Sequence, residues 1–304
     1  MKQKIRWLLF HQPVELFIRT AEHFEEEVNR LTGNKYEFEI MPLEDYEDKY
    51  CNGQPVDPVQ ELKAGRVDIC QLHSSLFPLY NATDFAVFDL PFLFSSHDHA
   101  TRVFEGSIGN RMLNHVEDTV EVKGLGFTYS GGYMCWKADR PITSLKQLQE
   151  MKISHRHHPI GNECFKELGV QIVEDLNEEN ICMSTLPRFH VDGKPSQNHC
   201  VDTGHSMYLT MIFMNQTLWS SFDAQTQAHF KEAALICARA EREKSVADAE
   251  LIKSDLIVQS QRNIESIAKL PDAEQEKLKN LYLKVRDRWK DYFPTNLVDD
   301  ILTA

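Results

Sequence analysis

The sequence predicts an α/β protein of two lobes, with mixed, mostly parallel sheets and one long helix bracing both. Three observations lead there. Strand-like and helix-like apolar spacings alternate in a β-α-β-α-β order over residues 5–72, and parallel strands need such crossover helices. A second strand group opens near residue 124, and the apolar, β-prone run Met207–Met214 returns the chain to the first lobe. Residues 223–267 then contain no glycine or proline and many Ala, Glu, Lys and Gln. A single helix of that length would span roughly 65 Å; the alternative is two helices with a bend that the sequence does not reveal.

Taken in order, Ile5–His11 reads as a buried strand. Val14, Phe17, Ile18, Ala21, Phe24, Val28 and Leu31 recur at helical spacing and make 13–31 an amphipathic helix, which Thr32-Gly33-Asn34 stops. Tyr36, Phe38 and Ile40 alternate with acidic residues as in a half-buried strand. Asp57–Ala64 is a short helix with Pro58 in its first turn, followed by a strand over 67–72. The spacing predicts one helix over 98–114, a strand group from Leu125–Tyr129 and a Ser144-capped turn over 145–149. A strand over 151–155, a helix over 160–168 and a strand over 169–173 come next. Residues 178–186 read as a helix stopped before Pro187, and 272–292 as a last helix stopped near Pro294. The expected lobes are 1–123 with 211–255, and 124–210 with 256–304. Lobes joined by several crossings hinge around a cleft, the usual place for a small-molecule site.

Composition narrows the function. Of 304 residues, 42% are hydrophobic and 26% charged, and the formal net charge is −13. That excess of acid excludes nucleic acid and an anionic membrane surface as partners, since both require a basic face. It leaves an anionic ligand open, because one arginine in a cleft outweighs a distant acidic surface. The longest apolar runs fall far short of the ~20 residues of a membrane span. Lys2–Arg6 leads directly into Trp7–Phe10, too short for the apolar core of a secretory signal. Two expectations follow: a chain that starts after a removed signal and works in the periplasm, or one that starts naturally at Met1 and stays in the cytoplasm.

Chemical motifs are sparse. There is no phosphate-binding glycine loop and no nucleophile elbow. Thirteen histidines include His155, His157 and His158 around Arg156, just after a strand end. Such a place suits an anion site or a proton relay, and equally a solvated loop. No metal is expected: Cys/His spacing is never close enough, and Cys70 and His73 sit three apart on a strand, facing opposite sides. The seven cysteines show no paired spacing, and none has an identifiable partner base, so buried structural thiols are expected rather than a nucleophile.

One order of motifs is specific. Val67-Asp-Ile69 is followed by Phe88-Asp-Leu-Pro-Phe-Leu-Phe94, then Arg140-Pro-Ile-Thr-Ser144, Met151-Lys-Ile153, Leu168-Gly169 and Val191-Asp-Gly193. Over about 5–285 this order resembles the solute-binding proteins of TRAP transporters, the tripartite ATP-independent periplasmic carriers, in a divergent, C4-dicarboxylate-binding-type form. The resemblance implies a periplasmic-binding-protein-like clamp without catalytic residues or cofactor. It would close on a small organic acid and deliver it to TRAP membrane subunits. The arginine that usually ends the Lys-Ile-Arg strand is replaced by Ser154. Arg156 lies two residues on, on the same face of an extended strand and shifted by roughly 7 Å. A second basic position falls at Tyr133 or Met134. The asparagine after Val-Asp-Gly falls at Ser196, with Asp192 retained. In the first lobe the resemblance puts His11 and Gln12 after strand one, and His73 where a polar contact usually sits. The expected ligand shell is therefore His11, Gln12, His73, Tyr133, Ser154, Arg156, Asp192 and Ser196. The altered positions support a second expectation, an intracellular protein of this fold repurposed as an enzyme or ligand sensor.

Thiol titration of the unfolded protein without reductant is expected to return seven free thiols. Five or fewer would reveal a disulfide and an oxidising compartment.

Overall fold

A computed structural model describes residues 2–154 and 159–304. The chain runs β1 (Gln3–Leu9), α1 (Val14–Thr32), β2 (Tyr36–Pro42), α2 (Leu43–Cys51), α3 (Pro58–Lys63), β3 (Ile69–His73), α4 (His97–Glu105), α5 (Ser107–Thr119) and β4 (Val122–Ala138). It continues with β5 (Lys152–Ser154), α6 (Pro159–Glu167), β6 (Gln171–Val173), β7 (Ile181–Thr185), β8 (His199–Val201) and β9 (Met207–Asn215). Then come α7 (Gln216–Ser221), α8 (Ala224–Ser254), α9 (Leu256–Gln261), β10 (Ser266–Ala268), α10 (Asp272–Trp289) and α11 (Leu297–Thr303). Two compact units divide the chain. The first holds residues up to Thr83, Phe104–Ser130 and Leu209–Lys244; the second holds Asp84–Val103, Gly131–Tyr208 and Ser245–Ala304. β4, β9 and α8 contribute residues to both. No described helix is long and apolar enough to cross a membrane.

In the first unit, β1 lies parallel between β2 and β3, with Trp7 opposite Ile40 and Ile69. β3 pairs antiparallel with β9, His73 opposite Thr210. The predicted stripe of α1 buries Phe17, Ala21, Phe24 and Val28, and Phe24 meets Trp7 edge-on at 5.2 Å. Gly33 ends α1 at φ 73°, in the left-handed region that glycine enters without penalty. Asp57 caps α3, its Oδ1 accepting from the backbone N–H groups of Val59 and Gln60 at 2.9 and 3.2 Å. α8 is fastened to α1 by Arg19, which donates to both oxygens of buried Glu241 at 2.6 and 2.7 Å.

Three sequence expectations need correction. The helix expected over 98–114 is two helices, α4 and α5, because Gly106 is extended and starts α5. Gly109 lies so close to the Phe104 carbonyl that a Cβ there would stand 2.1 Å from its oxygen. The helix expected over 178–186 is the strand β7, which pairs antiparallel with β4 from Met134–Thr185 to Ala138–Ile181. The helix expected to run unbroken to 267 stops at Ser254. There Asp255 turns extended and caps α9 through Ile257 and Val258 N–H at 2.8 and 3.2 Å. Residues 266–268 then pair with β8 as a strand.

The second unit centres on the latter half of β4, flanked antiparallel by β7 and β8, with β10 beyond β8; β5 and β6 form a separate parallel pair. The Phe88–Phe94 run explains itself here. Phe88, Leu90, Leu93 and Phe94 are buried, and Phe92 turns at φ 53°. Its N–H bonds the His205 carbonyl at 2.6 Å, and its own carbonyl accepts from Arg286 at 3.0 Å. The His205 ring lies between Trp136 and Tyr282 and shares a 2.7 Å hydrogen bond with the Thr203 hydroxyl. Lys137 is only 2% exposed, and its ammonium donates to the carbonyls of Phe189 and Asp192 at 2.6 and 2.5 Å. Burial lowers its pKa, opposed by nearby Cys182 and Asp192.

Burial holds the His205 imidazole down to about 4, so the fold keeps it neutral while the unfolded chain takes a proton below about 6.5. Its stabilising contribution is complete above about 6.5 and is lost as pH falls towards about 4, amounting to about 3 kcal/mol. Urea unfolding between pH 7 and pH 4 is expected to show this loss, and His205→Gln to flatten it; equal slopes would refute it. Lys137→Met is expected to destabilise by about 2–4 kcal/mol, since it strands two buried carbonyls. A change below 0.5 kcal/mol in chemical denaturation, roughly the scale of neutral surface substitutions, would refute that.

Candidate functional site

Within the second unit, a cavity of about 840 Å³ opens between β5, β7 and the turn after β7. That volume lies within the range of small-molecule sites. The turn begins at Pro187, where a short 3₁₀ segment, Leu186–Arg188, leaves the strand. Lys137 fixes its far end at Asp192. Between these points Arg188 is 7% exposed and lines the cavity. Its Nε and one Nη donate to Asp192 Oδ2 and Oδ1 at 3.1 and 2.8 Å. Ser184 Oγ adds a third bond to the same carboxylate at 3.0 Å. The guanidinium carbon stands 4.8 Å above the Tyr208 ring, a stacking that guanidinium favours. Burial works against the Arg188 charge, but Tyr208 and Asp192 outweigh it and raise the pKa.

Glu179 and Lys194 also line the cavity. Glu179 is buried and accepts from the Ser154 N–H at 2.9 Å. Lys194 reaches the carbonyls of Asn177 and Glu179 at 2.8 and 2.6 Å. Gly193, at φ 64°, keeps the turn tight: a Cβ there would meet Gln197 Oε1 at 2.2 Å and Cys182 Sγ at 2.5 Å. Among the described lining residues the ionisable side chains are thus two cations, Arg188 and Lys194, and two carboxylates, Glu179 and Asp192, beside Cys182 and Tyr208. Such a cavity can orient a small polar molecule by charge and by hydrogen bonds.

The structure brings together two of the sequence-predicted residues here, Ser154 and Asp192. Tyr133 packs its ring 4.8 Å from His97, with its hydroxyl 3.4 Å from the Phe94 carbonyl, and its neighbour Met134 lines the cavity instead. Ser196 is exposed and outside the lining. Arg156, with His155, His157 and His158, lies outside the described residues. His11, Gln12 and His73 belong to the first unit. There the His73 N–H donates to His11 Nε2 at 3.0 Å, and Ser75 Oγ contacts His73 Nδ1. Sequence reasoning missed Arg188 and Glu179. The available signal for the first was an arginine four residues before Asp192, the spacing of an ion pair over one helical turn. Among the described residues, no three His, Cys, Asp or Glu side chains converge as metal ligands do.

Comparison with known proteins fits this architecture. The family model of bacterial extracellular solute-binding proteins, family 7 (DctP), matches residues 11–174. A solute-binding protein of Verminephrobacter eiseniae is 23% identical over 259 residues, 81% of this chain and 74% of that one. A TRAP periplasmic solute-binding protein from Shewanella oneidensis, solved with bound succinate, superposes with a TM-score of 0.81 at 18% identity, covering 100% of this chain and 99% of the other. One from Haemophilus influenzae, solved with bound L-gulonate, gives 0.81 at 15% identity over 99% and 98%. These two structures share the two-domain α/β fold. Because the family model spans more than half of its residues, the chain belongs to family 7 of the bacterial extracellular solute-binding proteins.

Proposed function

We propose that this protein is the receptor of a TRAP-type transporter, working in the periplasm. It binds a small hydroxy acid and passes it to membrane subunits. The observation that carries the ligand class is buried Arg188, held by Asp192 and Tyr208 at the wall of the second-unit cavity. A guanidinium carries its donors in a planar fork that matches a carboxylate in two-pronged fashion, so Arg188 is the group at this wall best suited to a ligand carboxylate. Ser154 is a poor anchor for that carboxylate, because the Glu179 carboxylate already sits on its backbone N–H.

The charge balance refines the class. The described lining residues hold two cations and two carboxylates. A monoanion with hydroxyl groups satisfies Arg188 and gives Glu179 donors to accept. A second ligand carboxylate would meet Glu179 instead. This favours hydroxy acids, such as the L-gulonate bound by the Haemophilus influenzae protein, over succinate-like dicarboxylates.

Calorimetry against L-gulonate, a four-carbon hydroxy acid and succinate tests the reading. Wild type is expected to bind a hydroxy acid at least tenfold more tightly than succinate. Arg188→Ala should cost ~2–5 kcal/mol of binding, as for truncating one side of a buried charge pair. Arg188→Lys should weaken binding as well, because an ammonium lacks the fork. Thermal melts of each variant separate lost folding from lost binding. Unchanged affinity in folded Arg188→Ala would sink the assignment.

A further inference from the structure

The first unit carries a second recess, of about 320 Å³, between α5, the first half of β4 and the part of α8 in that unit. Four cations line it: Lys123, Lys231, Arg239 and Arg242. Glu105 takes both arginines: Arg239 Nε bonds each of its oxygens at 3.0 Å, and an Arg242 Nη contacts one of them. The other Arg242 Nη donates to the Phe127 carbonyl at 2.7 Å. Lys123, 5% exposed, contacts Glu117 and lies 3.5 Å from Asn114 Oδ1. Among the described residues, Lys231 has no carboxylate within ion-pair distance. Lys123 and Lys231 stand 5.5 and 5.4 Å from the centre of the same ring, Trp219. Four cations against Glu105 and Glu117 leave two positive charges in surplus. Burial, then Lys231, hold the Lys123 ammonium down to about 8. The recess also has an apolar wall. Phe104 stacks on Phe127 at 4.8 Å, with Leu113 and Leu235 beside them.

We propose that this recess is a second binding site, for a small carboxylate with an apolar body. The anion lies towards Lys123 and Lys231, where two like charges near one indole lack a full complement of carboxylates. The apolar body lies along Phe104, Phe127 and Leu235. The volume sits at the small end of known ligand sites and fits an aromatic or short aliphatic acid. Lysines act as point charges and impose no fork geometry, so the apolar wall sets the selectivity. This site is independent of the Arg188 cavity, which lies wholly in the second unit.

The test is calorimetry of the intact chain with benzoate and, separately, with inorganic phosphate. Wild type is expected to bind benzoate at one site and phosphate more weakly. Lys231 is exposed, so Lys231→Gln leaves the core intact. It should weaken benzoate binding about tenfold, as for the loss of one modest ionic contact, and leave hydroxy-acid binding unchanged. Failure of wild type to bind millimolar benzoate overturns the proposal. So does benzoate binding that survives Lys231→Gln but is lost in Arg188→Ala, which would place it in the other cavity. Phosphate binding tighter than benzoate overturns the assignment of an apolar ligand body.

Discussion

A single buried ammonium organises the cavity wall of the second unit. Lys137 stands near the end of β4, between β7 and β8, and bonds two carbonyls of one turn, at Phe189 and Asp192. Its charge also lies 4.9 Å from the Phe189 ring centre. These contacts close the turn between Pro187 and Gly193, and the turn in its turn aims Arg188 and Asp192. The residue that sets the cavity's geometry therefore does not line it. A charge in an interior is costly unless its donors are used. Here the two carbonyls and the aromatic face use them. The pairing of β7 and β8 with β4 keeps that arrangement at the centre of a sheet, not in a loop.

Net charge and local charge diverge in this molecule. The chain carries −13 overall, yet among the described residues its second-unit cavity is lined by as many cations as carboxylates and its first-unit recess is positive. Acid is concentrated on the surface, and the interior cations are each held by a specific partner: Arg19 by Glu241, Arg242 by Glu105, Arg188 by Asp192. A solvated acidic surface is screened within about 10 Å at ordinary salt, whereas a cavity wall is not. An acidic receptor for an acidic solute is thus no contradiction.

The parts of the fold that the sequence made legible are those where period and burial agree. α1 shows a clean apolar stripe because one face meets a sheet and the other meets water. β9 is mostly apolar because it is buried along nearly its whole length, and β1 turns apolar from Trp7 to Leu9, where it too is buried. The misread parts share a cause: a residue whose partner is remote in sequence. Glu178-Glu179 looks like a helix start, but Glu179 is turned inward by the Ser154 backbone, 25 residues away in sequence. Asp255 lies in a run of helix formers, and only its cap on the next turn shows that the helix ends. β8 and β10 are three residues each: β8 forms as a partner of β4, and β10 as a partner of β8. At the candidate site, Ser154 and Asp192 were reachable through motif order. Arg188 was not, because its burial comes from Tyr208 and the turn that Lys137 holds. The surrounding letters, Leu-Pro-Arg-Phe, resemble an ordinary turn.

The cysteines give the molecule a built-in clock. Six of seven are buried, and only Cys51 is partly open to solvent. Burial raises the pKa values of the Cys70, Cys164 and Cys182 thiols, so they are protonated and slow to react while the fold is closed. An alkylating reagent must then wait for local opening, and its rate reads the opening free energy. Cys70 and Cys237 lie in the first unit, and Cys135, Cys164, Cys182 and Cys200 in the second. Mass-resolved labelling would therefore time the breathing of each unit separately, with Cys51 as an internal standard for the unhindered reaction.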